Sequence, residues 1–384
     1  MHRRRILALA APLAALAVAP AFIRKAHAQE GLSAKAVTIG CSGALSGPLA
    51  GFGADLKLGV EAAMGQINGR GGVNGRVLQF QMMDDGYVPQ RTVDNVRKMQ
   101  ADGSVFALMS CIGTPNNTAI LPLIEESSLP YVAPLTGASS LRRPGTRNVF
   151  HVRASYTDET QRLVQKIVAM GIKELAIVYL DNGFGKEVLG EASQALEAQG
   201  VKAVAQAALA TDGKNLDAVV SQVMAAKPAA VLLGTAGAAS VGLITALRKA
   251  SPNLPMAGLS VVLTNEGLKQ LGTAGQGLAL TMVFPDPSRP RIAVVRDYQS
   301  AMRAIGQQEF SLGSFECYVN TRVLAEGLER AGRELTRAKL RAALASVRNH
   351  DLGGFSVDFS PASPYVGSRF VELGVIGAGG RLLG

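Results

Sequence analysis

The chain has 384 residues, 48% of them hydrophobic and 18% charged, with a net charge of +10, three cysteines and no tryptophan. Cys41, Cys111 and Cys317 are too few and too scattered for a disulfide scaffold. No Lys/Arg cluster interleaved with aromatics argues for nucleic acid, and the length is enough for two lobes with separate cores.

The N-terminus reads as a leader. Arg3, Arg4 and Arg5 precede an apolar run from Ile6 to Ile23, and Ala26-His27-Ala28 supplies the small-x-small pattern for cleavage before Gln29. A membrane anchor is the competing reading, but Pro12 and Pro20 interrupt a run of about 18 residues, at the lower limit for spanning. Arg3-Arg4-Arg5-Ile6-Leu7 also resembles a twin-arginine signal, and Arg24-Lys25 near the cut suits that route. Loss of the leader's five cations takes the net charge from +10 to +5, too mild a balance for a nucleic-acid partner. No later stretch is long and apolar enough to span a membrane, so a soluble periplasmic protein is expected.

Beyond the leader, short apolar runs alternate with helical stretches. Strands are predicted at Ala36–Cys41, Val77–Met83, Val105–Ser110 and Tyr131–Ala133, with helices between them at Ala54–Asn68, Gln90–Asp102 and Asn116–Glu126. After a strand at Val149–Val152 the rhythm restarts. Helices are predicted at Asp158–Met170, Lys186–Gln199, Leu216–Ala226 and Val241–Lys249, alternating with strands at Leu175–Tyr179, Val201–Ala207, Ala230–Leu233 and Met256–Leu259. Helices at Val294–Ala304, Phe315–Ala331 and Arg337–Ser346, then strands at Phe355–Asp358 and Phe370–Val375, finish the chain. Such alternation means parallel sheets covered by helices on both faces, and two runs of it mean two lobes. Cys41 and Cys111 each end a strand and could be bridged in an oxidising compartment. Adjacent parallel strands are rarely cross-linked this way, and buried free thiols are the expectation.

Catalysis is tested by subtraction. Without His2 and His27 of the leader, only His151 and His350 remain, almost no material for a histidine triad or a zinc site. No CxxC, HExxH, GxSxG or P-loop occurs, so no catalytic residue, metal or cofactor is assigned. Asp84-Asp85 before Gly86 reads as a turn and cap pair ahead of a metal site. The segment from Gly40 through Ser46 to Gly47 lies between a strand and a helix. It lacks both the GxGxxG spacing and the later acid that a dinucleotide needs. Its glycines let backbone N–H groups at a helix N-terminus approach a polar or anionic ligand; a plain strand-to-helix turn is the other reading. Gly113-Thr114-Pro115-Asn116 and Leu135-Thr136-Gly137-Ala138-Ser139-Ser140 are small polar loops after strands, where open parallel sheets bind ligands. Helix capping by Thr114 or Ser139 is the alternative, and one residue can do both.

From about Val37 to Leu373 the chain resembles the leucine/isoleucine/valine-type solute-binding proteins of ABC transporters, which are type I periplasmic binding proteins. Carrying the resemblance are Ser46-Gly47-Pro48 with Gly53, and the run Asn68-Gly69-Arg70-Gly71-Gly72-Val73-Asn74-Gly75-Arg76. Asp84-Asp85, Asp181-Asn182-Gly183-Phe184-Gly185 and Thr211-Asp212-Gly213-Lys214-Asn215-Leu216 follow in the same order and spacing. The resemblance implies an α/β fold of two doubly wound parallel-sheet lobes joined by a three-crossing hinge. Its lobes would be 29–155 plus 285–368 and 156–284 plus 369–384, after a signal peptide at 1–28. It implies a ligand carboxylate held by Thr114, Leu135, Thr136 and Gly137, with Ser46 in the first loop and Phe52 covering the ligand. On the second lobe, Tyr156, Asp158 and Phe184 would face it. The implied partners are a small-molecule ligand and an ABC transporter permease, met by a monomer.

Two departures bear on the ligand. The acid that meets an ammonium in the branched-chain binders is replaced near Ser260, and Ala236 stands where those binders have a tyrosine. Burying an ammonium without an acid costs about several kcal/mol, so a branched-chain amino acid requires Asp158, Glu266 or Glu316 to supply the charge. A small carboxylic acid, aliphatic or aromatic, or another neutral polar solute is the expectation. The family's cysteine pair is also absent, with Tyr87 and Gly113 at its places. Tyr318 is a further cleft candidate, or else a buried ring. A sensor on the same fold would differ only in its partner surface; a two-domain α/β enzyme is the remote alternative.

Overall fold

The computed structural model describes residues 30–378 and 380–383, so the leader and its twin-arginine pattern lie outside the described residues. In chain order the first elements are β1 (Ala36–Gly43), α1 (Ala50–Gly69), β2 (Val77–Asp84), α2 (Pro89–Ala101), β3 (Ala107–Met109), α3 (Thr114–Ser127), β4 (Tyr131–Val132) and β5 (Val149–His151). There follow α4 (Tyr156–Ala169), β6 (Leu175–Leu180), α5 (Gly183–Glu197), β7 (Ala205–Leu209), α6 (Leu216–Ala225), β8 (Ala230–Gly234), α7 (Ala238–Ala250), β9 (Met256–Gly258), α8 (Asn265–Leu271) and β10 (Ala279–Met282). The chain closes with α9 (Ala293–Ala304), α10 (Leu312–Ala331), α11 (Arg337–Ala345), β11 (His350–Asp351), β12 (Ser356–Val357), β13 (Tyr365–Val366), β14 (Glu372–Ile376) and β15 (Leu382–Leu383).

Two sheets organise these elements, in the orders β13-β5-β4-β3-β1-β2 and β15-β14-β10-β9-β8-β6-β7. The first is parallel throughout, and the second is parallel except for β14 and β15. This is the two-lobed, doubly wound α/β architecture. The chain passes between the sheets three times, after β5, after β10 and after β13. In each sheet the strand order reverses beside the first strand of its lobe, β1 or β6, and a crevice at such a reversal is where open α/β sheets bind ligands.

Local chemistry sets the element ends. Helix α4 starts at Tyr156, two residues earlier than the hydrophobic period indicates, because Ser155 and Asp158 form a reciprocal capping box. The Asn182 side chain accepts from Gly185 N–H and begins α5, and Ser311 does the same for Ser314 and α10. Strand β7 lies later than Val201–Ala207, since Ala205–Leu209 are the residues that pair with β6. Helix α8 and strand β10 correspond to no predicted element. Their glycine-rich flanks hide a strand that only β9 and β14 hold in place. All three cysteines are free and buried. No helix among the described residues is long and apolar enough to cross a membrane.

Candidate functional site

The carboxyl ends of the two sheets border a common cavity. From the first lobe come Leu49 ahead of α1, Phe52 and Asp55 on α1, Ile112, Gly113 and Thr114 after β3, and Leu135 after β4. The second lobe adds Tyr156 on α4, Phe184 on α5, Ala236 after β8, and Ser260, Val261 and Leu263 after β9. Arg153 at the first crossing, Val283 and Phe284 at the second, and Leu312, Gly313, Glu316 and Cys317 on α10 close the walls. Most of these side chains are apolar, so the cavity suits a solute with an apolar body and a few polar anchors.

The loops around it are posed by side-chain hydrogen bonds. Asp84 accepts from the N–H groups of Leu45, Ser46 and Gly86 at 2.9, 3.2 and 2.9 Å, and from the Ser46 hydroxyl at 2.6 Å. These donors, the Ser46 hydroxyl foremost, hold its carboxyl down at about 2. Buried Asp85 accepts from Ser42 and Thr92 hydroxyls and from Tyr87 N–H, each at 2.9 Å. The acid pair therefore ties together the loops after β1 and β2. Beside them, Gly113 has φ +92°, and a Cβ there would sit 2.2 Å from the Tyr87 ring. The two positions where the resemblance expects cysteines are thus neighbours, joined by a ring lying on a glycine.

The cavity brings together seven of the residues expected to bind ligand: Phe52, Thr114, Leu135, Tyr156, Phe184, Ala236 and Ser260. Four others lie outside its lining. Ser46 faces Asp84. Thr136 stands behind Thr114, the two hydroxyls 2.7 Å apart. Gly137 packs against Tyr156, where a Cβ would come within 2.6 Å of the ring. Asp158 closes the α4 capping box and approaches Arg369 at 3.4 Å. Tyr318 is buried in the first lobe, giving its hydroxyl hydrogen to Gln66 at 2.8 Å. Of the three acids considered for an ammonium, Glu316 lines the cavity; Asp158 caps its helix, and Glu266 is exposed on α8.

A buried ionic cluster went unread in the sequence. Arg153, Glu159 and Glu316 are 2%, 0% and 7% exposed. Arg153 Nη2 donates to Glu159 Oε1 at 3.0 Å and to the Ser260 hydroxyl, while Nη1 lies 3.4 Å from both Glu316 oxygens. Glu159 also accepts from Ser260 N–H at 2.9 Å and from the Thr281 hydroxyl. Arg153 thus joins a second-lobe carboxylate to a first-lobe one at the hinge. Its signal was present: Arg153 sits among the apolar residues that follow β5, and Glu316 between Phe315 and Cys317, both charges where the pattern demands core. Asp55 on α1 was also missed. It accepts from Ser311 Oγ at 3.0 Å and from Asn265 N–H at 3.4 Å, and burial pushes its carboxyl up to about 6.

The lobes touch on both sides of the cavity. On one, Ser140 gives its N–H and hydroxyl to Glu187 at 3.0 and 2.8 Å, and the Ser139 and Thr157 hydroxyls are 2.8 Å apart. On the other, Glu309 takes Asn265 Nδ2 at 2.8 Å and pairs with Lys269. Ala238 N–H reaches Pro48 O at 3.2 Å, an approach open because Gly237, at φ +65°, carries no Cβ to strike that oxygen.

A mostly apolar cavity shared by two hinged lobes, with polar groups at its helix starts, defines a two-lobed solute-binding protein. The family model described as periplasmic binding protein matches residues 36–363, and the chain belongs to that family. A periplasmic substrate-binding protein from Ralstonia solanacearum is 30% identical and superposes with a TM-score of 0.83, over 90% of this chain and 99% of that one. An extracellular ligand-binding receptor from Verminephrobacter eiseniae, also 30% identical, covers 91% of this chain and 100% of its own, with a TM-score of 0.84. The Leu/Ile/Val-binding protein homolog 3 of Brucella melitensis is 26% identical over 306 residues, 77% of this chain and 79% of that protein. The protein is accordingly an extracytoplasmic binding protein of the periplasmic binding protein family and not an enzyme.

Proposed function

We propose that the protein is the solute receptor of an ABC importer and holds a small carboxylate-bearing solute, an aliphatic or aromatic acid or an amino acid, between its lobes. The observation that carries this reading is a cavity walled by both lobes and bordered by contacts between them. A ligand there touches both lobes only when they are together, so binding favours closure, and the closed form is what a permease recognises. Thr114, the first residue of α3, is the anchor for the carboxylate. Thr136 accepts from Ala138 N–H at 3.1 Å and can give its own hydrogen to Thr114, leaving the Thr114 hydrogen for an anion beside the positive end of the helix. Phe52, Leu135, Tyr156, Phe184 and Ala236 pack the ligand's apolar body. The reading includes export through the twin-arginine route and docking as a monomer.

A thermal-shift screen of residues 29–384 against amino acids, aliphatic acids, aromatic acids, amides and sugars tests it. A ligand of the folded form stabilises by RT ln(1 + [L]/Kd), about 2.7 kcal/mol at a hundredfold excess. Carboxylates are expected to raise Tm, and Thr114→Val to abolish the rise. Stabilisation by sugars alone would overturn the carboxylate assignment.

A further inference from the structure

Beside the cleft lies a second cavity, and the two are continuous: Asp55, Ser260, Leu263, Leu312 and Gly313 border both. Both lobes wall this annexe as well. Phe310 and Ser311 come from the first, and Leu268 on α8, Leu280 on β10, Ile376 on β14 and Leu382 on β15 from the second. The polar groups of the annexe are engaged within the protein. The Thr264 hydroxyl accepts from Gly267 N–H at 3.1 Å, the Ser288 hydroxyl donates to Asp286 at 2.7 Å, and Asn265 Nδ2 donates to Glu309 at 2.8 Å. Asp55, at the passage between the cavities, takes Ser311 Oγ on one oxygen and Asn265 N–H on the other. Asp286 also pairs with Arg289 at 3.3 Å, and Arg381 is exposed, so its charge stays in water. What remains for a ligand is the apolar surface of Leu268, Leu280, Phe310, Ile376 and Leu382. A glycine stands at the passage for a reason of space. A Cβ on Gly313 would lie 2.8 Å from Asp55 Oδ2 and would push that carboxylate off its donors.

Resting on the reading that the cleft holds a carboxylate at Thr114, we propose that the annexe is a tail subsite of the same ligand. The solute is then a straight-chain aliphatic monocarboxylate whose hydrocarbon end passes Asp55 and Gly313 into the annexe. Each methylene buried among those side chains leaves water, which corresponds to roughly fourfold in affinity. A hydroxylated or second charged end would meet walls whose polar groups already have partners, and it would lose its hydration there. A tail in the annexe also touches both lobes on the side where Glu309 meets Asn265 and Lys269. Longer chains therefore favour closure as well as fit.

The test is titration calorimetry with butanoate, hexanoate, octanoate, octanedioate and octan-1-ol. The wild type is expected to gain roughly fourfold per added methylene from butanoate to octanoate. Leu268→Trp, which fills the annexe, should stop that gain while leaving butanoate bound as before. Should Leu268→Trp fail to fold, Leu382→Trp on the short edge strand β15 fills the annexe from another wall. A wild type that binds butanoate, hexanoate and octanoate alike overturns the tail subsite and leaves the carboxylate reading standing. So does a gain that persists in both tryptophan variants, since the chain would then lie elsewhere. Octanedioate binding tighter than octanoate would place a second carboxylate at Arg381 and overturn the hydrocarbon tail. Binding of octan-1-ol that Leu268→Trp abolishes, with no carboxylate bound at all, overturns the carboxylate reading and supports the annexe as an apolar subsite. Absence of binding by all five probes sinks both.

Discussion

The two lobes bury their aromatic rings in different places. In the first, Phe106, Phe150, Phe315, Phe359, Tyr298 and Tyr318 fill the core, with Phe150 stacked 4.7 Å from Tyr365 and Tyr298 edge-on to Tyr318 at 5.5 Å. In the second, the core is Leu, Val, Ile and Ala with Met256. The aromatic rings fully buried in that cluster are Tyr156 and Phe184, edge to face at 5.4 Å and both on the cavity wall. A fully buried ring of the second-lobe cluster therefore marks the cleft, while in the first lobe it usually marks packing. Phe184, to which the resemblance points, is such a cleft ring, and Tyr318 is a packing ring.

The largest expected effect lies where the lobes meet. Arg153→Leu leaves Glu159 and Glu316 buried without their shared cation and should cost about 3–5 kcal/mol in urea unfolding; a loss under about 1 kcal/mol would mean that both carboxylates are neutral in the folded protein. The lobe comparison itself is broken or sharpened by two truncations. Phe315→Ala should cost about 3–5 kcal/mol with ligand affinity unchanged. Phe184→Ala, beside existing space, should cost less stability and more affinity, and the reverse ordering would remove the distinction.

Asp55 gives a smaller and pH-dependent effect. Its carboxyl titrates near 6 when folded against an ordinary value of 3.8. Between those values the folded state holds the extra proton, so stability falls as pH rises from about 4 to 6 and stays lowered above that. Asp55→Asn should flatten this window and recover at most about 3 kcal/mol at pH 7, seen as Tm measured across pH 4–8. The smallest effect belongs to Glu187→Ala, which removes the two hydrogen bonds from Ser140 across the cleft. It should weaken ligand binding by about 0.5–1.5 kcal/mol with little change in the Tm of the unliganded protein.

Much of this organisation could be read from the chain before any coordinates. Alternating apolar runs and amphipathic stretches locate most helices and strands, because those periods follow from burial of one face or of both. The glycine and hydroxyl loops after β1, β3 and β4 can be picked out because turn and cap chemistry is local. Helix α8 and strand β10 could not, since Gly272, Gly275 and Gly277 mask a strand that exists only between two distant partners. Ser46 and Thr136 show the same limit at the site: their residue type suits a ligand, but Asp84 and Thr114 already engage them.

What the sequence by itself determined is the class of fold and the small-residue loops that follow the strands, because both rest on simple periodicity and on turn chemistry among residues close in the chain. Tyr156 and Phe184 are legible only through the family resemblance. Only the tertiary structure decided which acid reaches the cavity. Arg153, Glu159, Ser260, Thr281 and Glu316 come from separate segments of both lobes, and whether a buried carboxylate is saturated or open depends on distances that no local pattern encodes.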